Sequence, residues 1–125
     1  MYSPQVLDHF EHPRNAGVLE NPDASMQIEN PACGDVLKLT LRLSFGQIAE
    51  IRFQAKGCVA AMACASALTE LALGKSPAQA RALRIETLLA AVGGLPPASQ
   101  HGAQLALDTL DAALNQLASR ARTGA

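Results

Sequence analysis

Neither sign of charge dominates this 125-residue chain: ten Lys plus Arg stand against eleven Asp plus Glu, for a formal net charge of -1. No basic block is long enough to track a phosphate backbone, which argues against nucleic acid as a partner. The opening Met1-Tyr2-Ser3-Pro4 lacks a basic segment followed by an apolar one, so no secretory signal is visible and a cytoplasmic protein is expected. Long hydrophobic runs are missing too. The most apolar stretch, Gly57 to Leu73, is close to the lower length limit for a membrane span but carries Ser66, Thr69 and Glu70, and it reads as a buried helix. Cysteine is scarce: three residues, an odd number, with no export signal argue against a disulfide framework. Each cysteine is then core filler, reactive thiol or metal ligand.

What is present is a patterned chain long enough for one modest core, so a single domain over residues 1–125 is expected. Ser3 and Pro4 make an N-cap and first-turn pair, and Val6, Leu7 and Phe10 mark the apolar face of a short helix that Pro13 ends. Residues 13 to 35 read mostly as loop, with a short strand around Met26 to Glu29. From Leu37 the period becomes two. Leu37, Leu39, Leu41, Leu43 and Phe45 point one way, and after a turn at Ser44 to Gln47 the alternation resumes at Ile51, Phe53 and Ala55. This is a hairpin with one solvated face, and two strands alone are marginally stable, so the helices that follow must cover the apolar side.

Those helices are expected from Cys58 to about Leu73, at 77 to 82, at 84 to 92, and from His101 to about Ala121 after the Gly93-Gly94 and Pro96-Pro97 breaks. The last carries a stripe of Ala106, Leu110, Leu114 and Leu117. The fold class is α+β: a three-stranded antiparallel sheet with helices packed on one face.

The chemistry centres on the loop "PACGD" and the start of the second helix. Cys33 precedes the first long strand and Cys58 follows the second, so a hairpin brings them to one end of the sheet. Asp35 sits beside Cys33, and His101 reaches the same end if the last helix packs back over the sheet. Two thiolates, an imidazole and a carboxylate suffice for tetrahedral zinc or for mixed ligation of an iron-sulfur site. Taken one at a time, the same residues are also good turn and cap formers. Cys64 has apolar neighbours, Met62, Ala63 and Ala65, and reads as core.

The opening "YSPQVLDHFEHPRNAG", the "PACGD" loop, "KGCVAAMACASALTEL" with "GKSPAQA", and "LPPASQHGAQLALDTL" together resemble the U-type iron-sulfur cluster assembly scaffold proteins, the IscU and NifU N-terminal group. The resemblance covers nearly the whole chain. It implies a scaffold, not an enzyme, on which a transient [2Fe-2S] cluster or iron is held and passed to recipient apoproteins, with sulfur supplied by a cysteine desulfurase. Purified protein can also carry zinc, because affinity for soft ligands does not by itself select the ion. Carried over residue by residue, the family's ligands fall on Cys33, Asp35, Cys58 and His101. The third cysteine of the family should follow the histidine, and here the residue is Gly102. Restoring a cysteine there is expected to add a third thiolate. After the Leu-Pro-Pro, Ala98 and Ser99 stand where family members recognised by an Hsp70-type chaperone carry Val and Lys, so a charged anchor for that partner is missing. Two alternatives remain: an interaction protein of the same machinery that has lost cluster assembly, and an enzyme with Cys58 as nucleophile and His101 as base.

Overall fold

A computed structural model of the chain describes residues 2–31 and 34–122. Helix α1 spans Pro4–Glu11, with the Ser3 hydroxyl accepting a hydrogen bond from the Val6 N–H and Pro4 placed where its missing N–H costs nothing. Its inward face differs from the expected one. Val6 is fully buried and His9 nearly so, whereas Leu7 and Phe10 are 44% and 37% exposed. A polar ring takes the interior position because α2 offers it a hydrogen-bond partner, Ser66, which an apolar-period reading does not register.

Strands β1 (Ala24–Asn30), β2 (Asp35–Ser44) and β3 (Gln47–Lys56) form an antiparallel sheet in the order β1-β2-β3. The alternation of β2 and β3 holds: Leu37, Leu39, Leu41, Ile51 and Phe53 are all buried on one face. Phe45 does not continue it. It stands at the first of two turn residues, Phe45 and Gly46, both at positive φ (53° and 77°), and is fully exposed. A tight two-residue hairpin needs this left-handed backbone to match strand twist, and that need overrides side-chain alternation at the strand end.

Helix α2 (Val59–Ala72) packs against the inner face of the sheet and against α1 and α5. Its buried alanines at 60, 61, 63, 65, 67 and 72 leave little bulk, so neighbouring backbones approach closely. Two short helices, α3 (Pro77–Arg81) and α4 (Ile85–Ala91), lead through a 3-10 turn at Pro97–Ser99 into α5 (His101–Arg122). α5 buries Ala106, Leu110 and Leu114 in the common core with Leu37, Leu39 and Leu68, and leaves Gln104, Asp108, Asp111 and Asn115 exposed. Each fully buried leucine of this core contributes about 1.5–3 kcal/mol.

The outer face of the sheet is less open than expected. Residues 15–17 run beside the β3 edge, where the Gly17 N–H bonds the Phe53 carbonyl and the Phe53 N–H bonds that of Asn15. The chain then crosses over β2, where the Leu19 N–H donates to the Thr40 hydroxyl and buries it. Among the described residues, no helix is long and apolar enough to cross a membrane.

Candidate metal centre

The β2–β3 register pairs Val36 with Lys56, so the start of β2 and the end of β3 share one edge of the sheet. Asp35 opens β2 and is 3% exposed. Gly57, at φ +147°, turns the chain out of β3 into α2, and a Cβ built on it would lie 2.0 Å from Asp35 Oδ1. Only glycine fits between the strand end and that carboxylate.

Cys58 is the N-cap of α2. Its thiol accepts a hydrogen bond from the Ala61 N–H at 3.4 Å, in the manner of a capping serine, while its own N–H donates to Asp35 Oδ1 at 3.0 Å. The thiol donates to Asp35 Oδ2 at 3.2 Å. Burial pushes the Cys58 thiol up from its ordinary range; the Ala61 N–H works against this, and the adjacent Asp35 adds to it. The N–H groups at the start of α2 favour thiolate, but loss of solvent outweighs them.

His101 begins α5, which packs across α2 and the sheet. Its Nε2 lies 3.4 Å from Asp35 Oδ2 and 3.9 Å from Cys58 Sγ. Its Nδ1 is 3.1 Å from the Ala98 carbonyl. A carbonyl can only accept, so Nδ1 carries a proton, and in the neutral ring the lone pair is on Nε2, which faces the other two groups. This orienting carbonyl was not singled out from the sequence; the break at Pro96-Pro97 that curls the chain back onto His101 was the visible sign of it.

Asp35, Cys58 and His101 each offer one donor atom, all within 4.8 Å of one another. A tetrahedral metal with ordinary metal–sulfur and metal–nitrogen bonds separates its donors by about 3.5 Å. The distances of 3.2, 3.4 and 3.9 Å bracket that value. Asp35 is sealed in, whereas the His101 side chain is 37% exposed. A cleft of about 300 Å³ between β1 and α5, lined in part by Asn30, His101 and Asp108, gives access from that side. Of the four residues singled out from the sequence, three therefore converge; Cys33 lies outside the described residues.

Cys64 is fully buried, its thiol pushed up to about 12 by burial, and belongs to the core as read. Gly102 has a role that the sequence did not suggest. It is buried, and a Cβ there would lie 2.9 Å from the N and Cα of Ala61. The start of α5 rests directly on the backbone of the first turn of α2. A cysteine at 102 thus meets backbone before it meets a metal, and the expected gain of a thiolate comes with a displacement of α5.

Three comparisons place this architecture. The model of the NifU-like N-terminal domain matches residues 1–123. The chain is 39% identical over 123 residues to the iron-sulfur cluster assembly scaffold protein IscU of Escherichia coli K12, covering 95% of each chain. It is 41% identical over 115 residues to the protein of the same name from Aquifex aeolicus, covering 90% of this chain and 73% of that one. The solved structure of a nitrogen-fixing NifU-like protein (N-terminal) from Brucella abortus superposes with a TM-score of 0.78 over 94% of each chain at 18% identity, a likeness of fold. By sequence over nearly its whole length, and by the three-stranded sheet with its helical cover, the chain belongs to the NifU-like N-terminal domain family.

Proposed function

We propose that this chain is an iron-sulfur cluster assembly scaffold, one domain over residues 1–125, whose cargo is held by Asp35, Cys58 and His101 together with Cys33, two residues before Asp35 in sequence. The observation that carries this reading is the convergence of a carboxylate, a thiol and an imidazole with donor spacings suited to one metal ion. The names of the relatives support iron-sulfur assembly as the setting.

The cargo is iron or a [2Fe-2S] cluster, and zinc occupies the same donors in purified protein when iron is absent, since affinity for such ligands does not by itself select the ion. On loading, Cys58 gives up its proton, His101 presents Nε2 with no change of tautomer, and Asp35 exchanges its hydrogen bond from the thiol for the metal. With Gly102 in place of a third thiolate, the set is harder and weaker than a three-cysteine site. Such a site suits a cargo that is passed on. Sulfur comes from a cysteine desulfurase and the cluster leaves to recipient apoproteins; the chain itself turns over no substrate. Ala98 and Ser99 supply no charged anchor, so no Hsp70-type chaperone is assigned as a partner.

Anaerobic titration with ferrous iron tests the ligand set. The native chain is expected to hold about one metal ion or one cluster per chain, and Cys58→Ser or His101→Ala to weaken it by about 10- to 100-fold, with the fold checked by circular dichroism. Unchanged iron binding in both folded variants would remove these residues from the site.

A further inference from the structure

A groove of about 670 Å³ lies at the β3 edge, next to the strand end that leads to Cys58, bounded by Phe10 and Pro13 from the end of α1 and by Met62 of α2. Three features of it stand out. Its floor is apolar, and Phe10, which is 37% exposed, lines it. Its charged lining residues are Lys38 and Lys56, and no carboxylate is among the lining residues.

The third feature is the strand edge itself. Phe53 spends its N–H and C=O on Asn15 and Gly17, so it faces away from β2. In an antiparallel ladder the residue two positions on faces the same way. Ala55 therefore turns its N–H and C=O outward, and no partner for them exists among the described residues. Gly17, at φ +128°, bends the covering segment off the edge before it reaches Ala55. Farther along the edge, Ile48 pairs with Gly74 and Lys75. Folded proteins cover or blunt such edges unless they are used.

We propose that this open edge docks an extended, acidic segment of a partner protein. The segment pairs with the backbone of Ala55 as an added strand, sets apolar side chains over Phe10, Pro13 and Met62, and places carboxylates against Lys38 and Lys56. Charge complementarity selects an acidic occupant: a basic segment meets two lysines with no counter-charge in the groove. The inference does not depend on what the metal centre holds.

The test uses the full chain, labelled with nitrogen-15, and a capped octapeptide of alternating valine and glutamate, with a valine-lysine octapeptide as control. In the free protein the Ala55 amide is expected to exchange with solvent much faster than that of Phe53. The acidic peptide is expected to shift residues 54–56, Phe10 and Met62 saturably and to slow exchange at Ala55. The lysine peptide, and the acidic peptide on K38E/K56E, should each bind about tenfold or more weakly. An Ala55 amide already as protected as Phe53 in the free chain would overturn the proposal. So would acidic-peptide shifts confined to other surfaces, no binding at millimolar peptide, or equal binding of the two peptides to the native chain; that last comparison needs no variant to fold.

Discussion

Gly102 shows how a single missing side chain sets both the chemistry and the packing of the site. Because its absent Cβ would fall 2.9 Å from the backbone of Ala61, Gly102→Ala is expected to cost about 1–3 kcal/mol of stability, measurable by urea denaturation. Gly102→Cys should cost at least as much, and to hold iron better it must first move the start of α5. If the Ala variant is as stable as the native chain, the close contact between α5 and α2 is wrong. His9 makes a second prediction at this scale. Its Nδ1 lies 2.8 Å from the Ser66 hydroxyl, which also accepts the Arg14 N–H, and Glu70 and Asp8 are its acidic neighbours. Burial, then Arg14, holds its pKa below the ordinary 6.5, against the opposing pull of Glu70 and Asp8. With the folded value depressed, the unfolded chain takes the proton first as pH falls. The stabilisation is complete above pH 6.5 and is lost as the pH drops through the window between 6.5 and the folded value. Melting temperature should therefore fall between about pH 7.5 and about pH 5.5, with a shallower slope in His9→Gln. Equal slopes would show that His9 does not titrate across unfolding in this way.

At the scale of elements, the β2–β3 hairpin is the device that builds the site, since its register brings Asp35 and Cys58 to one edge. Its turn is imperfect in sequence. Phe45 takes a left-handed φ of 53° with its ring fully in solvent, a conformation that costs a residue of its kind about 1–2 kcal/mol. Phe45→Asn, which makes the Asn-Gly pair that two-residue hairpins favour, should raise stability by about 0.5–1 kcal/mol without altering iron binding. A loss of stability would mean that the Phe45 ring has a contact that its exposure conceals. Helix α5 contributes at the other end of the same logic: the curl at Pro97–Ser99 lets the Ala98 carbonyl fix the tautomer of His101 before the helix begins. The hairpin was legible because alternation from Leu37 to Phe53 has one physical cause, a buried face. The left-handed turn was not, since Phe45 has the size and polarity of the next inward residue.

For the molecule as a whole, the order of elements and the pairing of the long strands followed from periodicity and from proline and glycine breaks. The site was legible in two steps of unequal kind. The hairpin alone implied that Cys58 and the segment of Asp35 meet, whereas the placing of His101 leaned on the resemblance, because where a C-terminal helix packs is decided by contacts far apart in sequence. The same long-range contacts explain what was missed. His9 faces inward because Ser66 meets it, Thr40 is buried because residues 18–20 cross above it, and Gly57 is required because Asp35 lies behind it. None of these leaves a periodic trace. The proposed role belongs to the whole chain acting as a carrier, its three converging donors, with Cys33, holding a cluster loosely enough to give it away. The most direct measurement is transfer. A cluster reconstituted anaerobically on the native chain is mixed with an apo-ferredoxin, and the circular dichroism of the ferredoxin cluster is followed in time beside the same amounts of free iron and sulfide. Transfer from the native chain should be faster than from the free ions and should be lost in Cys58→Ser; a native chain that takes up no cluster, or transfers no faster than the free ions, is not a carrier.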